Sequence, residues 1–168
     1  INYLLGHVYF NYSDNNNLYV SETIDREVND DIKMRYYLND GILNIQPSAS
    51  GRRNYSKANR DLLIKVPTSY SLDLININSV SSNIAINIDS SEYKINTVSG
   101  SIELRTSKFN KITCNVVSTD TEINILDDIG VKVDFDTGSG KLTNNISLVD
   151  ENHLIKYNSV SGNLLIKH

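Results

Sequence analysis

Apolar and polar residues alternate along most of this chain, and the alternation breaks at a recurring short motif. Five stretches carry it: NSVSSNIAINI around Val80, NTVSGSIELRT around Val98, NVVSTDTEINI around Val117, DTGSGKLTNNI around Gly138 and NSVSGNLLIKH around Val160. The centres are spaced 18, 19, 21 and 22 residues apart. Five and three residues before each centre stand Ile75 and Ile77, Tyr93 and Ile95, Ile112 and Cys114, Val133 and Phe135, Ile155 and Tyr157. Four, six and eight residues after it stand Ile84, Ile86 and Ile88; Ile102, Leu104 and Thr106; Thr121, Ile123 and Ile125; Leu142, Asn144 and Ile146; Leu164, Ile166 and His168. A period of two with β-branched residues predicts strands with one buried face, two short strands per copy. The inward positions are odd before the centre and even after it, so the chain must turn a corner or bulge there. The residues at that point are small and turn-prone, as such a corner requires.

All the extra residues fall between one unit and the next, so one corner is fixed and the other takes up insertions. Stacked coils behave this way, because a surface loop lengthens cheaply whereas a stacked strand cannot slip. Two residues before each centre stand Asn78, Asn96, Asn115, Asp136 and Asn158. Stacking places them roughly 4.8 Å apart, where each amide bonds to the next as a ladder. The expected fold is all-β: a parallel β-solenoid of about five coils over residues 67–168, with a strand-rich cap over residues 1–66. In the cap, HVYFNYSDNNNLYVSE reads as two strands around a polar turn, and KMRYYLNDGILNIQ as a hairpin turning at Asp40-Gly41. DLLIKV reads as a strand ending at Pro67, and residues 21–34 have room for one turn of helix. The competing fold is an antiparallel sandwich, which requires neither the constant unit nor the asparagine column.

A repeated xIxxxSGxIxI unit after a LxIxVPxxxxLxL lead-in, here DLLIKVPTSYSLDL, resembles a bacterial family of domains of unknown function labelled "putative adhesin". The resemblance covers about residues 61–168 well and the N-terminal third loosely. It implies a β-helix-like fold, often in proteins carrying a membrane anchor or signal, and it brings no catalytic residues. VSTD lacks the glycine and TGSG puts Gly138 where valine usually sits, so those two copies are expected to bend locally.

Composition removes some classes of function. The net charge of -4 lacks the basic face of a nucleic-acid binder, and the Arg52-Arg53 pair reads as a solvated loop. A single cysteine, Cys114, allows neither an internal disulfide nor a thiolate cluster, and its inward position makes it a small core residue. No apolar run reaches the roughly 20 residues of a membrane span. The chain begins with Ile1, so it reads as a processed or truncated product, and the absence of a signal peptide or membrane anchor from it excludes neither.

Chemistry is sparse. The histidines, His7, His153 and His168, are scattered, and the last is also where a purification tag would start. No catalytic or nucleotide motif has its required context, and no metal or cofactor is expected. Outward carboxylates offer one candidate: Asp120, Asp134 and Asp136 on adjacent coils, gathered to hold a cation or to act as an acid–base pair, near Glu103, Glu122, Lys94, Arg105 and Lys132. Tyr36 and Tyr37 offer another, because adjacent strand residues face opposite ways and one of them would present a ring to a sugar; Tyr9, Tyr12 and Tyr19 lie in the same third of the chain.

The leading expectation is a non-enzymatic surface or envelope module, displayed outside the cytoplasm on an anchor. It would present a rigid polar face to a cell-envelope glycan or a surface protein. The alternatives are a scaffold that self-associates through an open C-terminal coil at LLIKH, and a polysaccharide-active enzyme.

Overall fold

The computed structural model describes residues 1–51 and 58–168, so the Arg52-Arg53 pair lies outside the described residues. Within them the chain is all-β apart from a single 3-10 turn, Asp30–Ile32, inside the segment where one helical turn was expected. The strands are β1 (Asn2–Ser13), β2 (Tyr19–Ile24), β3 (Arg35–Asn39), β4 (Ile42–Gln46), β5 (Arg60–Pro67), β6 (Leu74–Asn87), β7 (Glu92–Thr106), β8 (Lys111–Ile125), β9 (Lys132–Thr137), β10 (Leu142–Asn144), β11 (Leu154–Ser159) and β12 (Leu164–Lys167). All but β3 and β4 join one large sheet, which is parallel except where β2 runs antiparallel to β5.

The repeats stack in the register that the motif defines. Asn78 pairs with Asn96, and Asn96 with Asn115; Ile84 pairs with Ile102, and Ile102 with Thr121. The inward positions are buried: Ile77, Ile86, Ile95, Leu104, Ile112, Ile123, Tyr157 and Ile166 are fully covered. At the corner two consecutive residues turn outward. In β8, Val116 is buried, Val117 and Ser118 are exposed, and Thr119 is buried again. That bulge shifts the parity by one and keeps the same face inward. It leaves Val80, Val98, Val117 and Val160 in solvent at the apex, each more than 40% exposed.

Two features depart from the expected arrangement. First, β1 is a rung of the stack. It runs parallel to β6 with Asn2 opposite Asn78 and Val8 opposite Ile84. NYLLGHVYF is therefore another copy of the motif, with Asn2 in the asparagine column and Gly6 in the glycine column. Second, the repeats do not stack in chain order. The fifth repeat (β11 and β12) pairs with the third (β8) on one side and with the fourth (β9 and β10) on the other. The edge expected at LLIKH is thus covered on both sides, and the outermost rung at that end is the fourth repeat.

The hairpin β3–β4 forms a separate two-stranded sheet. Its turn is at Asp40 (φ 48°) and Gly41 (φ 76°), the two positive-φ residues of a primed turn.

Candidate interaction face

The outward side chains of the strands after the corner line up in columns, one residue per rung. The column three residues after the motif centre holds His7, Asn83, Ser101, Asp120, Asn163 and Lys141 in stack order. Its members are tied together. Asp61 lies 2.7 Å from Nδ1 of His7, Nε2 of His7 lies 3.3 Å from the Asn83 amide, and Ser101 donates to Asn83 Oδ1 at 3.0 Å. Further along, the Asn163 backbone and side-chain amides both donate to Asp120 Oδ1, at 3.1 and 3.0 Å, and the Lys141 N–H donates to Asn163 Oδ1 at 3.0 Å. Two residues further along each strand, Glu103 stands directly opposite Glu122. Like charges side by side are unfavourable. Each has a cation to offset this: Lys167 reaches Glu122 at 2.7 Å and Arg105 reaches Glu103 at 3.7 Å.

Over these columns lies a shallow groove of about 520 Å³, spanning the second, third, fifth and fourth repeats. Ser101, Glu103, Asp120, Glu122, Asn163 and Lys141 bring hydroxyl, carboxylate, amide and ammonium groups to it, and Leu165 adds an apolar patch. This combination suits a polyhydroxylated ligand. Carboxylates and amides pair hydroxyl groups, and apolar carbon lies under C–H faces. The strands cannot shift without breaking the ladder, so the groups are fixed before any ligand arrives.

The three aspartates singled out in the sequence do not converge. Asp120 lies in the groove, Asp134 on β9 is 3.5 Å from the Lys156 ammonium, and Asp136 sits exposed on the outermost rung. Among the described residues no three His, Cys, Asp or Glu side chains are grouped so as to hold a metal ion. Tyr36 and Tyr37 are both exposed, at 61% and 53%, on β3 of the separate hairpin. The asparagine column forms a ladder without Asp136: Asn78 donates to Asn2, Asn96 to Asn78, Asn115 to Asn96 and Asn158 to Asn115, at 2.8 to 3.0 Å, while Asp136 faces Asn158 from the outermost rung. Cys114 is buried in the core, and burial pushes its thiol up to about 12, well away from a reactive thiolate. Ser101, Asn163, Lys141 and Leu165 were missed as site residues. The signal that would have found them is the motif register itself, in which Asp120, Asn163 and Lys141 share one position.

The family model that matches the chain is Toastrack DUF4097, over residues 6–168. The chain belongs to the Toastrack DUF4097 family. That match begins at Gly6, so it takes in most of β1 along with the repeats read from the motif. Among solved structures, this Toastrack chain is similar to a "putative cell adhesion protein" from Clostridium sporogenes. The two are 17% identical with a TM-score of 0.75, over 99% of this chain and 89% of the other, and at that identity the likeness is one of fold. A "putative adhesin" from Bacteroides fragilis aligns over 98% of this chain and 90% of its own at 12% identity, with a TM-score of 0.40. A comparison with curated proteins gives no match.

Proposed function

We propose that this chain is a non-enzymatic interaction module of the cell surface or envelope. It is built as a parallel β-solenoid of about five coils and held outside the cytoplasm by an anchor. The groove across four repeats carries the reading. Its polar groups recur once per rung, roughly 4.8 Å apart, so a linear ligand lying along the stack meets several sites at once. Multivalent contact of this kind turns weak single contacts into firm attachment. The fitting ligand class is a cell-envelope glycan; a surface protein with a complementary polar strip is the other candidate partner. The adhesion-related description of the clostridial neighbour agrees with this reading.

Binding of purified protein to isolated bacterial envelope tests it. Saturable binding that free glycan competes away is expected. Glu122→Gln combined with Asn163→Ala should weaken it on the order of 10-fold, about 1.4 kcal/mol, with the fold intact by circular dichroism. Absence of saturable binding, or equal binding by that variant, would reject the groove as the site.

A further inference from the structure

The fourth repeat differs from the others at the positions that matter for stacking. It has Asp136 where the ladder has asparagine, Gly138 where the corner has an aliphatic residue, and Asn144 where the core has Ile86, Leu104, Ile123 and Ile166. Asn144 is exposed, and its Oδ1 accepts the Ile146 N–H at 3.0 Å, a local turn that ends β10 after three residues. Lys132, Asp134 and Asp136 put charge along β9.

These substitutions account for the order of the stack. In chain order the fourth repeat would lie between the third and the fifth. Asp136 would then lie between Asn115 and Asn158 and interrupt the ladder in mid-stack, since a carboxylate has no proton to pass on to Asn115 Oδ1. Asn144 would lie between Ile123 and Ile166, both fully buried, with its amide out of reach of water. Intercalating the fifth repeat takes Asn144 out of the core and moves Asp136 to the end of the ladder, where it is exposed and faces Asn158 alone. Asn158 then donates to Asn115 at 2.8 Å, Ile166 packs beside Ile123, and the polar residues go to the outside. Apolar groups of the fourth repeat cover the fifth: Phe135 stacks on Tyr157 with centroids 5.6 Å apart, and Val133 and Leu142 are half-buried.

The same chemistry faces the next strand to arrive. The outer edges of β9 and β10 have no strand partner among the described residues. A second copy continuing the stack would have to bury Asn144 and lay a rung against the acidic side chain of Asp136. We infer that the fourth repeat is a built-in stop, a terminal rung placed out of chain order so that this end of the stack rejects a second copy of the chain. Short, charged and polar edge strands protect sheet ends in this way, as capping repeats do in solenoids.

Sedimentation over a wide concentration range tests the stop. The unmodified protein should sediment as one monomeric species at every concentration. Asp136→Asn with Asn144→Ile should give dimer-sized or larger species that grow with concentration. Growth of the unmodified protein that Val133→Lys abolishes would overturn the proposal, as would a folded double variant that stays monomeric. If the double variant fails to fold, the order of the rungs is read by cross-linking in a Cys114→Val background. Thr113→Cys with Lys156→Cys should oxidise readily, and Thr113→Cys with Asp134→Cys should not; the reverse result would remove the basis of the inference.

Discussion

At the scale of single residues, the corners depend on a few atoms that have no substitute. Gly100 sits at φ 118°, and a Cβ there would come within 2.0 Å of the Ser82 carbonyl oxygen on the neighbouring rung. Gly100→Ala therefore meets both backbone strain and a backbone clash, and is expected to cost on the order of 3 kcal/mol in urea unfolding. Asp89 clasps the opposite corner. Its carboxylate accepts from the Ser107 N–H at 2.7 Å, Ser107 Oγ at 2.8 Å and Thr106 Oγ1 at 2.9 Å. Partial burial alone would raise its pKa, but these donors outweigh it and hold the group below the usual carboxylate range. The folded pKa is the depressed one, so the contribution is fully present above the unfolded value near 3.9 and is lost as pH falls through the folded value. Asp89→Asn should thus cost about 1 kcal/mol at neutral pH, a figure discounted for solvent exposure. The gap to the unmodified protein should close in acid; a gap independent of pH would show that the charge plays no part.

At the scale of elements, the hairpin β3–β4 is the least supported part of the molecule. Every residue of β3 is exposed, and a lone two-stranded hairpin is marginal in water. Its anchors are the buried side chain of Ile45 and one buried ion pair. Arg60 and Glu22 meet at 3.1 Å with each side chain only 5% exposed. Around them Arg60 donates to the Ile32 and Pro47 carbonyls, and Glu22 accepts from the Met34 N–H and from the Tyr3 hydroxyl. The node therefore joins β1, β2 and β5 to both ends of the hairpin segment. Glu22→Ala leaves a buried guanidinium unpaired and should cost about 3 to 5 kcal/mol. Amide exchange should rise first in residues 34–46, before the stack is affected. Uniform loosening of the whole molecule would mean that the node belongs to the core and not to the hairpin.

At the scale of the whole molecule, the order of the rungs makes distant segments depend on one another. Among the described residues the strands of the fourth repeat pair only with those of the fifth: β9 with β11, and β10 with β12. Deleting residues 152–168 should therefore release residues 132–146 to full amide exchange although none of them has been removed, while β6 to β8 stay protected. Continued protection of 132–146 would mean that the fourth repeat docks directly on the third. Much of the architecture could be read from the residues in line. Alternation of Ile, Leu and Val fixed the strands and their inward faces, Ser-Val-Ser-Gly marked the corner, and the asparagine column predicted the ladder, because these are local periodicities of two and of about 20 residues. The first rung went unread because NYLLG keeps the asparagine and glycine but has leucines where the other copies have Val-Ser. The groove went unread because its members are scattered from Ser101 to Leu165 and meet only across rungs. What the sequence by itself determined is the shape of each repeat, since a strand and its bulge are set by neighbours along the chain. What only the tertiary structure decided is which repeat lies on which. That depends on whether Asp136 and Asn144 end in water or between buried rungs, an energy that arises only when distant segments meet.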